Sequence, residues 1–97
     1  MNIYDYTLPK TGETFTTLLE HKNIKINRIT SSKTVEPIEY IQEEDEWLVL
    51  LQGKATLLMQ GTEVVLTGGE TLFIPAKTPH SVIQTDDNTL WLAVHIL

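Results

Sequence analysis

The chain has no cysteine, so neither a disulfide framework nor a thiolate zinc site is open to it. It is also poor in basic residues: seven Lys and Arg stand against thirteen Asp and Glu, a formal charge of −6. A polyanion would be repelled by that balance, which argues against nucleic acid and against an anionic membrane surface as partner. Long apolar runs are missing too. None approaches the roughly 20 residues needed to cross a bilayer, and the opening Met1-Asn2-Ile3-Tyr4-Asp5-Tyr6 lacks the basic and apolar regions of a signal peptide. These absences predict a soluble, cytoplasmic protein. Its 97 residues, 41% of them hydrophobic, are expected to form one domain over 1–97 with a modest core. A core of that size gains from self-association, so a homodimer is expected.

What is present is strand signal. Lys25 to Thr30 alternates polar and apolar residues, with Ile24, Ile26 and Ile29 marking a half-buried strand. Gln52-Gly53 stands between the apolar runs Leu48–Leu51 and Ala55–Met59, and Gln60-Gly61 between Met59 and Val64-Val65-Leu66, each reading as a hairpin turn. Gly68-Gly69 breaks the chain before Thr71–Ile74, and Asp86-Asp87-Asn88 is a polar turn between Ser81–Thr85 and Thr89–Ile96. Glu13–His21 is the one helix candidate, but Thr14, Thr16 and Thr17 favour a strand there. Five or six short strands at this spacing predict an all-β sandwich or barrel. The last strand, Trp91 to Leu97, has almost no polar position, so both its faces are expected to be covered, the outer one by a second subunit.

Two residues stand out chemically. Glu46 ends the acidic run Glu43-Glu44-Asp45-Glu46 and begins an apolar strand, where it shares a face with Leu48 and Leu50. Either it is an inward carboxylate at the barrel mouth, or all four acids decorate a solvated loop. His80 follows Pro75 and Pro79 and shares a face with Val82 and Gln84. If Ser81–Thr85 and Thr89–Ile96 pair around Asp87-Asn88, His80 faces His95 and Gln84 faces Trp91. Two imidazoles and a carboxylate suit zinc, iron, manganese, nickel or copper. His21, beside Lys22 and Asn23, reads as a turn residue.

Arranged this way, the residues resemble the cupin superfamily, in particular its small single-domain members. Glu46, six residues and Gly53 match the end of the first cupin motif. Gly69, five residues, Pro75, then Lys77, two residues and His80 match the second, with Gln84 in the place of its asparagine. The chain departs from the pattern where the motif has His-x-His, filled here by Tyr40 and Gln42, and where Lys77 replaces a glycine. The resemblance implies a double-stranded β-helix, or jelly-roll, barrel. It also implies a divalent metal (Zn, Fe, Mn or Ni) on Gln42, Glu46 and His80, held weakly or absent because an amide and a phenol replace imidazoles.

Three functions remain open. One is a metal-dependent enzyme of oxidation or isomerisation type acting on a small molecule, with Tyr40 and His95 as proton donor or acceptor. Another is a metal-free ligand-binding or sensor barrel with a pocket of Leu48, Leu50, Val82, Gln84 and Trp91. The third is a dimerising barrel without a site, disfavoured because Glu46 and His80 would then be buried to no purpose.

Overall fold

The computed structural model describes residues 1–33 and 35–97. Eight strands follow one another: β1 (Glu13–His21), β2 (Ile24–Ser31), β3 (Asp45–Gln52), β4 (Lys54–Met59), β5 (Thr62–Thr67), β6 (Thr71–Ile74), β7 (His80–Thr85) and β8 (Thr89–Ile96). The protein is all-β, with no helix among the described residues and so none long and apolar enough to cross a membrane. Glu13–His21 is a strand, as its threonines require. The strands form a five-stranded sheet in the order β1-β2-β8-β3-β6 and a three-stranded sheet in the order β5-β4-β7. Every pairing is antiparallel, in the manner of a jelly-roll barrel.

Alternation along the strands divides inside from outside. On β3, Glu46, Leu48 and Leu50 are buried while Trp47 is exposed. Across the sheet, Leu48 faces Ala93 and Leu50 faces Trp91, and Trp91 faces Ile29. These residues join Ala55 and Leu57 of β4, Leu66 and Ile74 to form the core. The outer face is partly covered by the N-terminal segment. There Arg28 Nη1 donates to the carbonyl of Asp5 at 3.1 Å, the guanidinium lies 5.4 Å from the centre of the Tyr6 ring, and the Tyr6 hydroxyl donates to Asn88 Oδ1.

Two turns that read as hairpins are crossings between the sheets. β3 pairs with β6 and β8, and β4 with β5 and β7, so Gln52-Gly53 does not close a hairpin. Likewise β7 belongs to the small sheet and β8 to the large one, so the expected pairings of His80 with His95 and of Gln84 with Trp91 do not form. Gln60-Gly61 does close the β4–β5 hairpin, with φ of 51° and 78°, the doubly positive turn that suits the twist of paired strands.

Bulges adjust which side chains point inward. In β7 the register shifts opposite Thr56 and Leu57, leaving Ile83 without a partner. Beyond it, Gln84 is exposed and Thr85 is buried, its hydroxyl donating to the Ser32 carbonyl at 2.6 Å. Gln84 is therefore turned away from the interior, because alternation is interrupted between it and Val82.

Gly53 makes the first crossing possible. Its φ is +94°, and a Cβ there would stand 2.6 Å from Thr89 Oγ1 and 3.1 Å from Thr89 Cα. Gly12 has a similar φ of +70° but open space around it. Gly53→Ala is expected to cost about 2–4 kcal/mol, strain and overlap together, and Gly12→Ala only about 1–2 kcal/mol. Urea denaturation of the two variants beside the parent measures the difference.

Candidate functional site

The barrel encloses a cavity of about 110 Å³ between the sheets. Tyr40, Gln42, Glu46, Leu48, His80, Val82, Trp91 and His95 all line it. Leu50 and Gln84, expected among the lining residues, do not. Leu50 is sealed in the core at 0% exposure, and the bulge at Ile83 turns Gln84 outward.

A short bridge outside the regular strands sets the mouth. Tyr40 N–H donates to the His80 carbonyl at 2.7 Å, and His80 N–H donates back to the Tyr40 carbonyl at 3.0 Å. The two rings lie 6.0 Å apart, tilted by 30°. Lys77 N–H donates to the Gln42 carbonyl at 2.7 Å, so the loop before His80 also fixes the segment before β3. Lys77 takes φ +64°, a conformation that explains the glycine of the motif it departs from.

Within this frame His80 and Glu46 each have a defined partner. His80 is buried, and its Nδ1 lies 2.8 Å from the Thr78 carbonyl oxygen. A carbonyl only accepts, so in the neutral ring Nδ1 carries the proton and the Nε2 lone pair is left for a ligand. Glu46 is 6% exposed and accepts from Gln42 Nε2 at 2.7 Å. On β8, His95 is the cross-strand neighbour of Glu46. Its buried Nδ1 comes within 3.4 Å of Glu44 Oε1 but outside hydrogen-bonding geometry. The cavity thus gathers the expected donors Gln42, Glu46 and His80, with His95 nearby. Among the described residues, however, no three His, Cys, Asp or Glu side chains converge into a group that would hold a metal ion. The donors present do not make up a full metal-holding set.

Sequence reading missed Glu13, Phe15, Ile29, Leu57 and Ile74, which complete the lining. Glu13 is the consequential one. It lies opposite Ser31 in the β1–β2 ladder, and Ser31 Oγ–H donates to its Oε2 at 2.6 Å. Trp91 Nε1–H donates in turn to Ser31 Oγ at 3.0 Å. Burial pushes the Glu13 carboxyl above the usual glutamate range, only partly opposed by the Ser31 hydrogen bond. The Tyr40 hydroxyl is also pushed up, first by burial and then by the Glu13 charge. The available signal was alternation: a strand from Glu13 to His21 puts Glu13 and Phe15 on one face.

The sign of the Glu13 shift gives a stability test. A carboxyl that holds its proton more tightly when folded contributes stability at acid pH, and loses it as pH rises through its folded value. Glu13→Gln cannot ionise and escapes that loss. The difference in midpoint temperature, variant minus parent, should therefore become more positive from about pH 4 to about pH 8, as read by thermal unfolding in a buffer series.

Comparisons with known proteins agree with this architecture. Residues 31–95 match the cupin domain family. A Ralstonia eutropha protein, whose name proposes a mannose-6-phosphate isomerase, is 35% identical with a TM-score of 0.90, and the match covers 99% of this chain and 95% of that one. A cupin superfamily protein of Desulfitobacterium hafniense is 16% identical with a TM-score of 0.85, over 98% of this chain and 86% of that one. A Streptococcus pyogenes protein of unknown function is 18% identical, also with a TM-score of 0.85, over 99% and 84%; these two show the fold alone. No curated protein sequence matches. With its motif residues gathered around one barrel cavity and its sequence matched over residues 31–95, this chain belongs to the cupin family.

Proposed function

We propose that this cupin binds a small molecule in the barrel cavity, oriented by Tyr40, Gln42, Glu46 and His80 against walls of Leu48, Val82 and Trp91. The observation that carries the reading is the His80 ring. Its Nδ1 is committed to the Thr78 carbonyl, which leaves Nε2 as the ring's acceptor on a side chain that lines a cavity with mainly apolar walls. A concave apolar site with a few convergent polar groups is the usual form of a small-molecule pocket. Tyr40 keeps its proton, because burial raises its hydroxyl, and so serves as a hydrogen-bond donor to the ligand. His80 Nε2 is an acceptor placed to take a proton, the kind of group an isomerisation would use.

A fragment library of neutral, cationic and anionic compounds, screened by ligand-observed NMR, tests this reading. Val82→Phe fills the cavity, and hits on the parent should be lost in that variant while its unfolding midpoint shows that it remains folded. Hits that survive the filled cavity would overturn the proposal.

One observation favours a metal as a second reading. Metal-binding histidines commonly donate their other ring N–H to a carbonyl, as His80 does. Zinc, iron, manganese or nickel would then be held by Glu46 and His80 with the Gln42 amide oxygen. With so incomplete a donor set the ion is held weakly, so plasma mass spectrometry of protein equilibrated with added metal should find more bound in the parent than in Glu46→Ala/His80→Ala; equal metal in the two would sink the reading.

The exposed outer face supports a homodimer. Leu19, Ile26, Val94, Trp47 and Phe73 face one another strand by strand across the whole five-stranded sheet. Leu19, Trp47 and Phe73 are exposed, an apolar row of the kind that marks an interface. Sedimentation should give a dimer for the parent and a monomer for Trp47→Glu/Phe73→Glu; a monomeric parent would contradict the homodimer.

A further inference from the structure

The cavity carries acidic and aromatic surface and, among the described residues, no lysine or arginine. Glu13 enters it from β1 and Glu46 from β3, and Phe15, Tyr40 and Trp91 supply rings. The wall formed by Glu13, Phe15 and Tyr40 is shared with an adjoining groove of about 290 Å³, which adds Glu36 and the apolar Val35 and Ile38 and again no basic residue. Lys25, the cross-strand neighbour of His95, is held 3.6 Å from Glu20, and Lys77 lies 3.9 Å from Glu43. Neither side chain lines the cavity.

This composition selects by charge. Phosphates and carboxylates are bound by guanidinium, ammonium or imidazolium groups or by helix N-termini; the cavity offers no guanidinium or ammonium side chain and the described residues form no helix, so the imidazoles of His80 and His95 are its only basic side chains, set against Glu13 and Glu46. An ammonium group needs acceptors and is attracted to aromatic faces within about 6 Å. Each carboxyl has one oxygen engaged, Glu46 Oε1 by Gln42 and Glu13 Oε2 by Ser31, and the other oxygen of each has no donor among the described residues. They differ in position: Glu46 lines the cavity alone, whereas Glu13 stands on the wall shared by the cavity and the groove. The burial that disfavours its charge is a cost that a bound cation offsets. The overall charge of −6 favours the encounter.

We propose that the cavity and its groove recognise an organic cation, a small molecule bearing an ammonium group, with Glu13 as its counter-ion and the rings of Tyr40 and Trp91 beside the charge. The inference rests on the small-molecule reading above and deepens it by naming the ligand class and a selecting residue outside the motifs. The apolar Val35 and Ile38 of the groove receive the remainder of the ligand. On this assignment the phosphosugar in the name of the Ralstonia eutropha protein gains nothing from its phosphate in this cavity.

Calorimetric titrations at fixed ionic strength test it with four probes: butylammonium, its neutral counterpart butanol, mannose, and mannose 6-phosphate. Protein as purified and protein treated with a chelator are both used, so that a resident cation does not mask the site. Butylammonium should bind more tightly than butanol, and Glu13→Gln should weaken it at least about tenfold. Glu63→Gln, on the far strand β5, should leave binding unchanged. Mannose 6-phosphate should bind no better than mannose. Equal affinity for butylammonium and butanol, an unaltered affinity in Glu13→Gln, or preferential binding of mannose 6-phosphate would each overturn the cation assignment. In those cases any titration lost in Val82→Phe would leave the small-molecule reading standing. Absence of butylammonium binding, together with fragment hits indifferent to Val82→Phe, would remove both.

Discussion

The cavity depends on one exchange of backbone hydrogen bonds, between Tyr40 and His80. It joins the segment leading into β3 of the large sheet to β7 of the small sheet, through His80, which also pairs with Met59 of β4. Because the exchange is made by main-chain groups, it holds whatever side chains stand there. A tyrosine and a glutamine can therefore occupy the positions at which the first cupin motif has histidines, and the barrel mouth keeps its geometry. The side chains at the mouth are thus free to set the chemistry, while the backbone sets the shape.

The interior combines two kinds of surface that are usually kept apart. Trp91 belongs to the core and lines the cavity, and its indole N–H feeds a chain through Ser31 to Glu13. Buried polar groups are tolerable when each has a partner, and this chain satisfies the indole and hydroxyl while leaving one carboxyl oxygen of Glu13 open. On the opposite side, Gln42 partners Glu46 and the Thr78 carbonyl partners His80. At the cavity His95 Nδ1 and one oxygen each of Glu13 and Glu46 are without a donor or acceptor among the described residues, where a ligand can meet them.

Much of this was legible in the sequence, and the failures have a common cause. Alternation from Glu46 to Leu50 set the inward face of β3, the threonines settled β1 as a strand, and Gln60-Gly61 announced a real hairpin. The motif spacings around Glu46, Gly53, Gly69 and His80 gave the family. Gln52-Gly53 and Asp86–Asn88 have equally good local turn chemistry, yet they carry the chain from one sheet to the other. The choice is made by partners distant in sequence, such as the close approach of Thr89 to Gly53, and no local pattern encodes that. Gln84 was misplaced because a bulge at Ile83 interrupts the period of two. Glu13 was overlooked because its role comes from Ser31 and Trp91, which only the folded sheet brings to it.

The tautomer of His80 is the feature on which the cavity's chemistry turns, and a long-range proton–nitrogen correlation spectrum of histidine-labelled protein reads it directly, at a pH where the ring is neutral. Nδ1 protonated and Nε2 bare is the expected result, with the Nε2 resonance moving when a cavity ligand or metal is added. A neutral His80 protonated on Nε2 would contradict it, because the ring would then turn its lone pair towards the Thr78 carbonyl and offer the cavity a donor in place of an acceptor.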